Sequence, residues 1–368
     1  MVNQAPTLDD PSLVTRPPAG TTGLIGKIRQ TFFNSILNSV ITVACVAALI
    51  AMVPPILNWA VFNAVTVGDS AVCRANQSGA CWAFVVEKLN FIVFAFYPQS
   101  EQWRPLAMML IFGGMVGVSL FPALWRRELL IGWIVALLAM FELMAGVLFL
   151  PTVPTRLWGG LPLTLALSTI GLVLAFPIGI LLALGRRSEL PILKLVCVGY
   201  IELIRGVPLI TILFMSSLMF PLLLPEGMSI DKLLRAQVAL IMFAAAYLAE
   251  VVRGGLQAIP RGQYEAADSL GLSYGQKMRK IILPQALKIV IPSLVNTFIG
   301  FFKDTTLVII IGLFDFLNSI KSALTDPNWL GFHVEAYVFA ACVYFVFCFG
   351  MSRYSLFLES KLTPEKVR

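Results

Sequence analysis

Apolar stretches long enough to cross a lipid bilayer recur along almost the whole of this 368-residue chain, and that property removes most folds from consideration. The stretches are residues 36–57, 105–124, 129–150, 158–185, 207–225, 236–252, 285–302 and 335–351, all near or above the length a spanning helix needs. Within hydrocarbon every backbone N–H and C=O has to be paired inside its own segment, so these runs read as helices. Only 13% of residues are charged, about half the share of a soluble domain. The fold class expected is therefore all-α: a polytopic membrane helix bundle of about 8 transmembrane helices.

The formal charge of +7 does not imply a nucleic-acid partner. The cations sit in short connections between apolar runs, which is how positive charge is distributed on the cytoplasmic side of a membrane protein. With both termini cytoplasmic, well over half of the 27 Lys and Arg fall on that side. Inverting the topology would put the excess outside. Residues 1–30 are rich in Pro, Gly, Thr and Asp and read as a mobile cytoplasmic tail, and residues 362–368 as a short C-terminal one. Gly20 to Lys27 has the look of a phosphate-binding loop, but five residues separate Gly20 from Gly26 and Ile28 stands where Ser or Thr is needed. The chain is thus expected to bind no cofactor of its own. A single histidine, His333, leaves no metal cluster and no nucleophile–base pair, so no catalytic residue is assigned. Cys73 and Cys81 lie in a polar loop read as external. A disulfide there suits an oxidising compartment, and two free thiols are the alternative.

One polar island interrupts the apolar pattern, centred on Gln263 to Pro284. Pro260 is placed to begin a helix, since its missing N–H costs nothing in a first turn. Glu265, Ala266 and Ala267 favour helix, and the two alanines offer a low face to a neighbouring backbone. Gly271 fits a left-handed cap. Ser273 and Gln276 have the spacing of a capping box at a second helix, and Pro284 closes the unit. Glu265-Ala266-Ala267, Gly271, and then Ile281-x-Leu283-Pro284 after nine residues resemble the EAA loop of bacterial ABC-importer permeases. Ala246 to Gly255, Ile259 to Gln263 and Leu283 to Ala286 resemble the polar amino-acid branch of that family. Glu202 to Leu209 is similar to its arginine-glycine-threonine-proline signature, with Val207 in the threonine position.

The likeness covers about residues 157–361 and implies a type I importer core of 5 helices with a cytoplasmic coupling loop at 254–284. Residues 31–156 form an N-terminal extension of about 3 spans with a periplasmic loop, as in the larger permease subunit of general L-amino-acid importers. The resemblance implies coupling to the ATPase through Glu265, Ala266, Ala267, Gly271, Leu283 and Pro284. It also implies an ATPase dimer carrying ATP and Mg, a second and non-identical permease chain, a periplasmic amino-acid-binding protein and an inner-membrane location.

A zwitterion needs polar partners near mid-membrane, and broken helices can supply them. Asn296, Thr297, Lys303, Asp304 and Thr305 are the candidates for the substrate path, the cation for a carboxylate and Asp304 for an ammonium group; a helix-ending turn whose Lys303 reaches the outer interface is the alternative. Glu142, deep in the 129–150 run, is a further candidate because a charge there is costly and should face the bundle; a carboxylate tied to a neighbouring helix for structure is the alternative. Against the importer stands a secondary transporter driven by an ion gradient, which would use Glu142 but leave the polar island without a purpose. An integral-membrane enzyme finds no catalytic constellation.

Overall fold

The computed structural model describes residues 23–362. Residues 1–22, with most of the expected tail and Gly20, lie outside the described residues, as does the 363–368 end. From residue 23 the chain is already helical. In order the helices are α1 (Gly23–Phe32), α2 (Ile36–Leu57), α3 (Ser70–Ala75), α4 (Trp82–Phe94), α5 (Trp103–Ser119), α6 (Arg127–Ala145), α7 (Gly160–Arg186), α8 (Pro191–Gly206), α9 (Leu209–Phe214), α10 (Lys232–Ala258), α11 (Arg261–Ser269), α12 (Tyr274–Lys277), α13 (Leu283–Asp304), α14 (Phe316–Ala323) and α15 (His333–Leu362). The only strand among the described residues is the pair Phe314–Asp315, which bridges to Gly159 and Gly160. The all-α membrane bundle expected from the sequence is what the chain forms.

Among the described residues six helical segments are long and apolar enough to cross a membrane, seven if a bent pair is taken as one span. That pair, α8 with the segment from Leu209 to Leu223, turns by 101°. The turn falls where Pro208 lacks an N–H and forces Val207 into extended backbone. The eighth expected span is α5, whose 17 residues rise about 25 Å, a little short of the hydrocarbon thickness.

The described chain forms two compact units that divide at Trp82. The expected 31–156 extension is therefore split. The first unit holds α2, capped by the Ser35 side chain accepting from the Asn38 N–H at 3.2 Å, and without a buried residue along its 22. A helix apolar all round and uncovered by protein is suited to lipid. Beyond it the polar loop is closed by a Cys73–Cys81 disulfide, and Trp82 Nε1 donates to the Ala60 carbonyl at 2.7 Å.

In the second unit α4 to α6 belong with the core. A Cβ on Gly160 would stand 1.8 Å from the Val93 carbonyl oxygen, so the chain leaving α4 lies directly on the start of α7. At the centre α7 packs on α10 through small residues four apart, Gly171, Ala175, Gly179 and Ala183, all buried. On α10 they meet an alanine-rich face that includes Ala244, Ala245 and Ala249. Small side chains let two backbones approach closely, which is the chief source of helix adhesion where no water is present to drive association. The Gly113 and Gly117 pair of α5 has no described residue within 4 Å of either Cβ position, so it is not a close helix-packing face among the described residues.

Candidate functional site

The polar island folds as a helix, a left-handed turn and a second helix. Pro260 is the N-cap residue of α11. At the other end Gly271 has φ +66°. The Leu272 N–H donates to the Ala267 carbonyl at 3.3 Å and the Gly271 N–H to the Asp268 carbonyl at 2.9 Å, the paired bonds of a Schellman cap. The expected capping box is present: the Gln276 N–H donates to Ser273 Oγ at 3.4 Å and the Ser273 N–H to Gln276 Oε1 at 3.0 Å. A 2.5 Å Lys277–Asp268 ion pair then ties α12 back to α11.

Two details differ from the expectation. Pro284 does stand in the first turn of the next run, α13, but no break precedes it. Met278–Ile282 is a π-helical bulge leading directly into α13, and a wider turn of this kind relieves the clash and lost bond that a proline brings to a continuing helix. The two alanines also do not share a face. Ala267 is 1% exposed and seats α11 on its own chain, whereas Glu265, Ala266 and Gly271 are exposed and Leu283 is half-buried. Leu270 and Tyr274, at 75% and 57% exposure, join the outward face. Sequence reading passed over both, although an apolar residue beside a capping glycine in a polar stretch was a usable signal. A cleft of about 420 Å³ lined by Arg187, Gln257, Arg261, Tyr264 and Glu265 runs beside α11.

The path candidates lie on α13 and just past it. Asn296 and Lys303 are exposed, and Thr297 and Asp304 are half-buried. Seven residues are nearly two full turns, so Asn296 lines up with Lys303, and Thr297 with Asp304. With Ser293 and Gly300 they make one polar stripe on a spanning helix, only partly covered by the other described residues. The Thr297 hydroxyl donates to the Ser293 carbonyl at 2.9 Å. Thr305 is fully buried, with its hydroxyl on the Phe302 carbonyl at 2.8 Å, and so does not join the stripe.

Glu142 has a different occupation. Gly146, left-handed at φ 65°, curls the chain back so that the N–H groups of Val147, Leu148, Phe149 and Leu150 all donate to the Glu142 carboxylate at 2.8–3.3 Å. Arg104, with no exposed surface, holds the same loop: its Nε donates to the Leu143 carbonyl at 2.7 Å and its Nη1 to the Pro151 carbonyl at 2.8 Å. The costly charge is tied to its own following turn, and Glu142 leaves the list of path residues.

A second buried polar group surrounds Asp315, which caps α14. It accepts from the N–H groups of Leu317 and Asn318 at 3.3 and 3.2 Å and from the Asn318 amide. Burial pushes its carboxyl up to about 6, against these donors. A raised folded-state value means stability that is whole below the ordinary carboxylate range and is lost as pH rises through about 6. Asp315→Asn keeps an equally good cap and removes the charge. The variant is expected to lose about 1 kcal/mol less stability than the native chain between pH 5 and pH 8, read as thermal midpoints in detergent. Equal losses would contradict this assignment.

The exposed, rigidly capped segment and the partly exposed polar stripe now have a setting among known proteins. Residues 175–364 match the family described as the binding-protein-dependent transport system inner membrane component. The inner membrane amino-acid ABC transporter permease protein YhdY of Escherichia coli is 50% identical over 91% of this chain and 92% of its own length. This chain belongs to that permease family. The glutamate/glutamine/aspartate/asparagine transport system permease protein BztC of Rhodobacter capsulatus is 38% identical over 95% of this chain and 96% of its own. A crystal structure of an amino acid ABC transporter with histidines aligns with 55% of this chain and 92% of its own at 33% identity and a TM-score of 0.49. Family membership makes the chain a multi-pass inner-membrane transport component, and its kind works with an ATPase and a binding protein.

Proposed function

We propose that this permease is the translocating subunit of an ATP-driven importer of L-amino acids, and that residues 254–284 couple it to a separate ATPase dimer that holds ATP and Mg. The observation that carries the reading is the outward face of that segment. Glu265, Ala266, Leu270, Gly271 and Tyr274 are exposed on a turn whose caps are complete, so the surface is held in one shape with none of the described residues upon it. Preorganised surface with exposed Leu and Tyr suits a protein partner. Ala267 and Leu283 act from beneath by seating the helix, and Pro284 by fixing the bulge ahead of α13. The amino-acid class follows the names of the two long relatives.

Residues 157–361 act as the permease domain, with both termini and the 254–284 segment in the cytoplasm. The distribution of Lys and Arg supports this orientation. The second permease chain, non-identical in this reading, covers the polar stripe of α13, because polar groups on a spanning helix are placed against protein or a water-filled path rather than lipid. A periplasmic binding protein delivers the substrate. Asn296, Thr297, Lys303 and Asp304 line the path, and Asp304 meets the substrate's ammonium group. The ion-gradient alternative rested on Glu142, whose oxygens are already occupied by backbone amides.

Uptake by the complete complex in proteoliposomes, with and without the ATPase, tests the reading. Uptake is expected only with the ATPase and ATP, and uptake by the permease alone would overturn it. Asn296→Ala and Asp304→Ala are each expected to reduce uptake about tenfold, the size of a lost charge-assisted hydrogen bond. Normal uptake and normal substrate competition in both would remove the stripe from the path.

A further inference from the structure

One carboxylate joins the ends of α7, α8 and α10. Glu250 of α10 is 14% exposed. Its Oε1 accepts from Arg186 of α7 at 2.8 Å. Its Oε2 accepts from both Nε and Nη2 of Arg253 at 3.1 and 2.7 Å and lies 3.4 Å from Nη1 of Arg205 on α8. Arg186 reaches on to Glu202 of α8 at 2.9 Å, and Arg205 also lies over the Tyr247 ring at 5.6 Å. Glu202 and Arg205, three apart on one helix, thus pair with α7 and α10 instead of each other. The residue after Arg186 continues the chain of contacts: Arg187 donates to the Tyr264 hydroxyl of α11 at 3.1 Å, and that hydroxyl donates to the Leu256 carbonyl at 3.1 Å.

We propose that Glu250 is a positioning residue for transport, the hub through which movement of α11 shifts the ends of α7, α8 and α10 together. The proposal rests on the coupling reading of residues 254–284 and adds the route by which a push on α11 reaches the spans. Three guanidinium groups converge on this carboxylate, and without it they face one another across three helix ends. Like charges at that range in a half-buried site repel. The ends then separate, and α11 moves without carrying them. Glu202 carries the same charge but is 56% exposed and is in an ion pair with Arg186 only, so it lies at the margin of the hub.

The test reads amino acids moved per ATP hydrolysed by the whole complex in proteoliposomes, with ATPase retention measured in the same preparations. Glu250→Gln is expected to lower that ratio roughly three- to thirty-fold, the span reported for residues within a coupling network, with the ATPase retained. Glu202→Gln, the same change of charge, is expected to leave the ratio within about twofold. An unchanged ratio in Glu250→Gln overturns the proposal. So does an equal fall in Glu202→Gln, which would mean that net charge and not the hub matters. If Glu250→Gln does not accumulate in the membrane, Arg205→Gln removes the longest arm alone. Its ratio is expected to fall by a smaller factor, and no fall overturns the hub. Failure of the native complex to retain ATPase would instead count against the coupling reading, so the two failures are distinguishable.

Discussion

Gly271→Val abolishes uptake while the chain still enters the membrane: this is the expected result at the centre of the coupling reading. At φ +66° a residue with a Cβ costs about 1–2 kcal/mol, and a β-branched one more. Nothing lies within 4 Å of the Cβ position, so the chain's own packing is not disturbed. The strain falls on the turn alone, and the turn is what holds α11 and α12 at a fixed angle. The two Schellman bonds are expected to open and Leu270 to leave its place on the outward face. Membrane yield, ATPase retention and uptake measured side by side check this. Yield should match the native chain while retention or uptake is lost. Native uptake with the ATPase bound would contradict it.

Gly179→Leu has the largest expected effect on the fold. A Cβ at this position would stand 2.9 Å from the Leu248 Cβ, 3.1 Å from the Ala245 carbonyl oxygen and 3.2 Å from the Ala249 N. Two of these neighbours are backbone and the third is fixed to it, so relief requires α7 and α10 to part along the whole small-residue face. Overpacking at such a site costs about 3 kcal/mol or more. The variant is expected to be recovered from membranes at under about a tenth of the native level, about a 1.4 kcal/mol threshold. Gly350→Leu on α15, where the Cβ position is empty, is the matched control. Equal recovery of the two would show that the α7–α10 approach is not needed.

What could be read from the chain beforehand was whatever a few neighbouring residues decide. Pro260, Gly271 and the Ser273–Gln276 pair specify their caps within four residues, and each takes the place expected. The spans are similarly local, because hydrocarbon leaves an apolar run little choice but helix. Features that escaped reading depend on partners far along the chain. Glu250 and Arg186 are separated by 64 positions and Arg104 and Pro151 by 47. The depth of Glu142 in an apolar run calls for a partner, but which one follows from the left-handed turn at Gly146, which brings four amides of its own chain to the carboxylate instead of a neighbouring helix. Ala266 and Ala267 show the same limit at close range. Their composition promised a low face, but which alanine points inward depends on how α11 is seated, and its own Tyr264, packed with Ile259 and Ile282, decides that.

Photo-crosslinking from Leu270 in the assembled transporter tests the central claim most directly. A photoreactive residue there, three-quarters exposed on the tip of the capped turn, should form its main adduct with the ATPase. The same group at Leu330, on the exposed loop before α15, should form none. An adduct with lipid or with no protein at Leu270, in a complex that retains its ATPase and transports, would contradict the account.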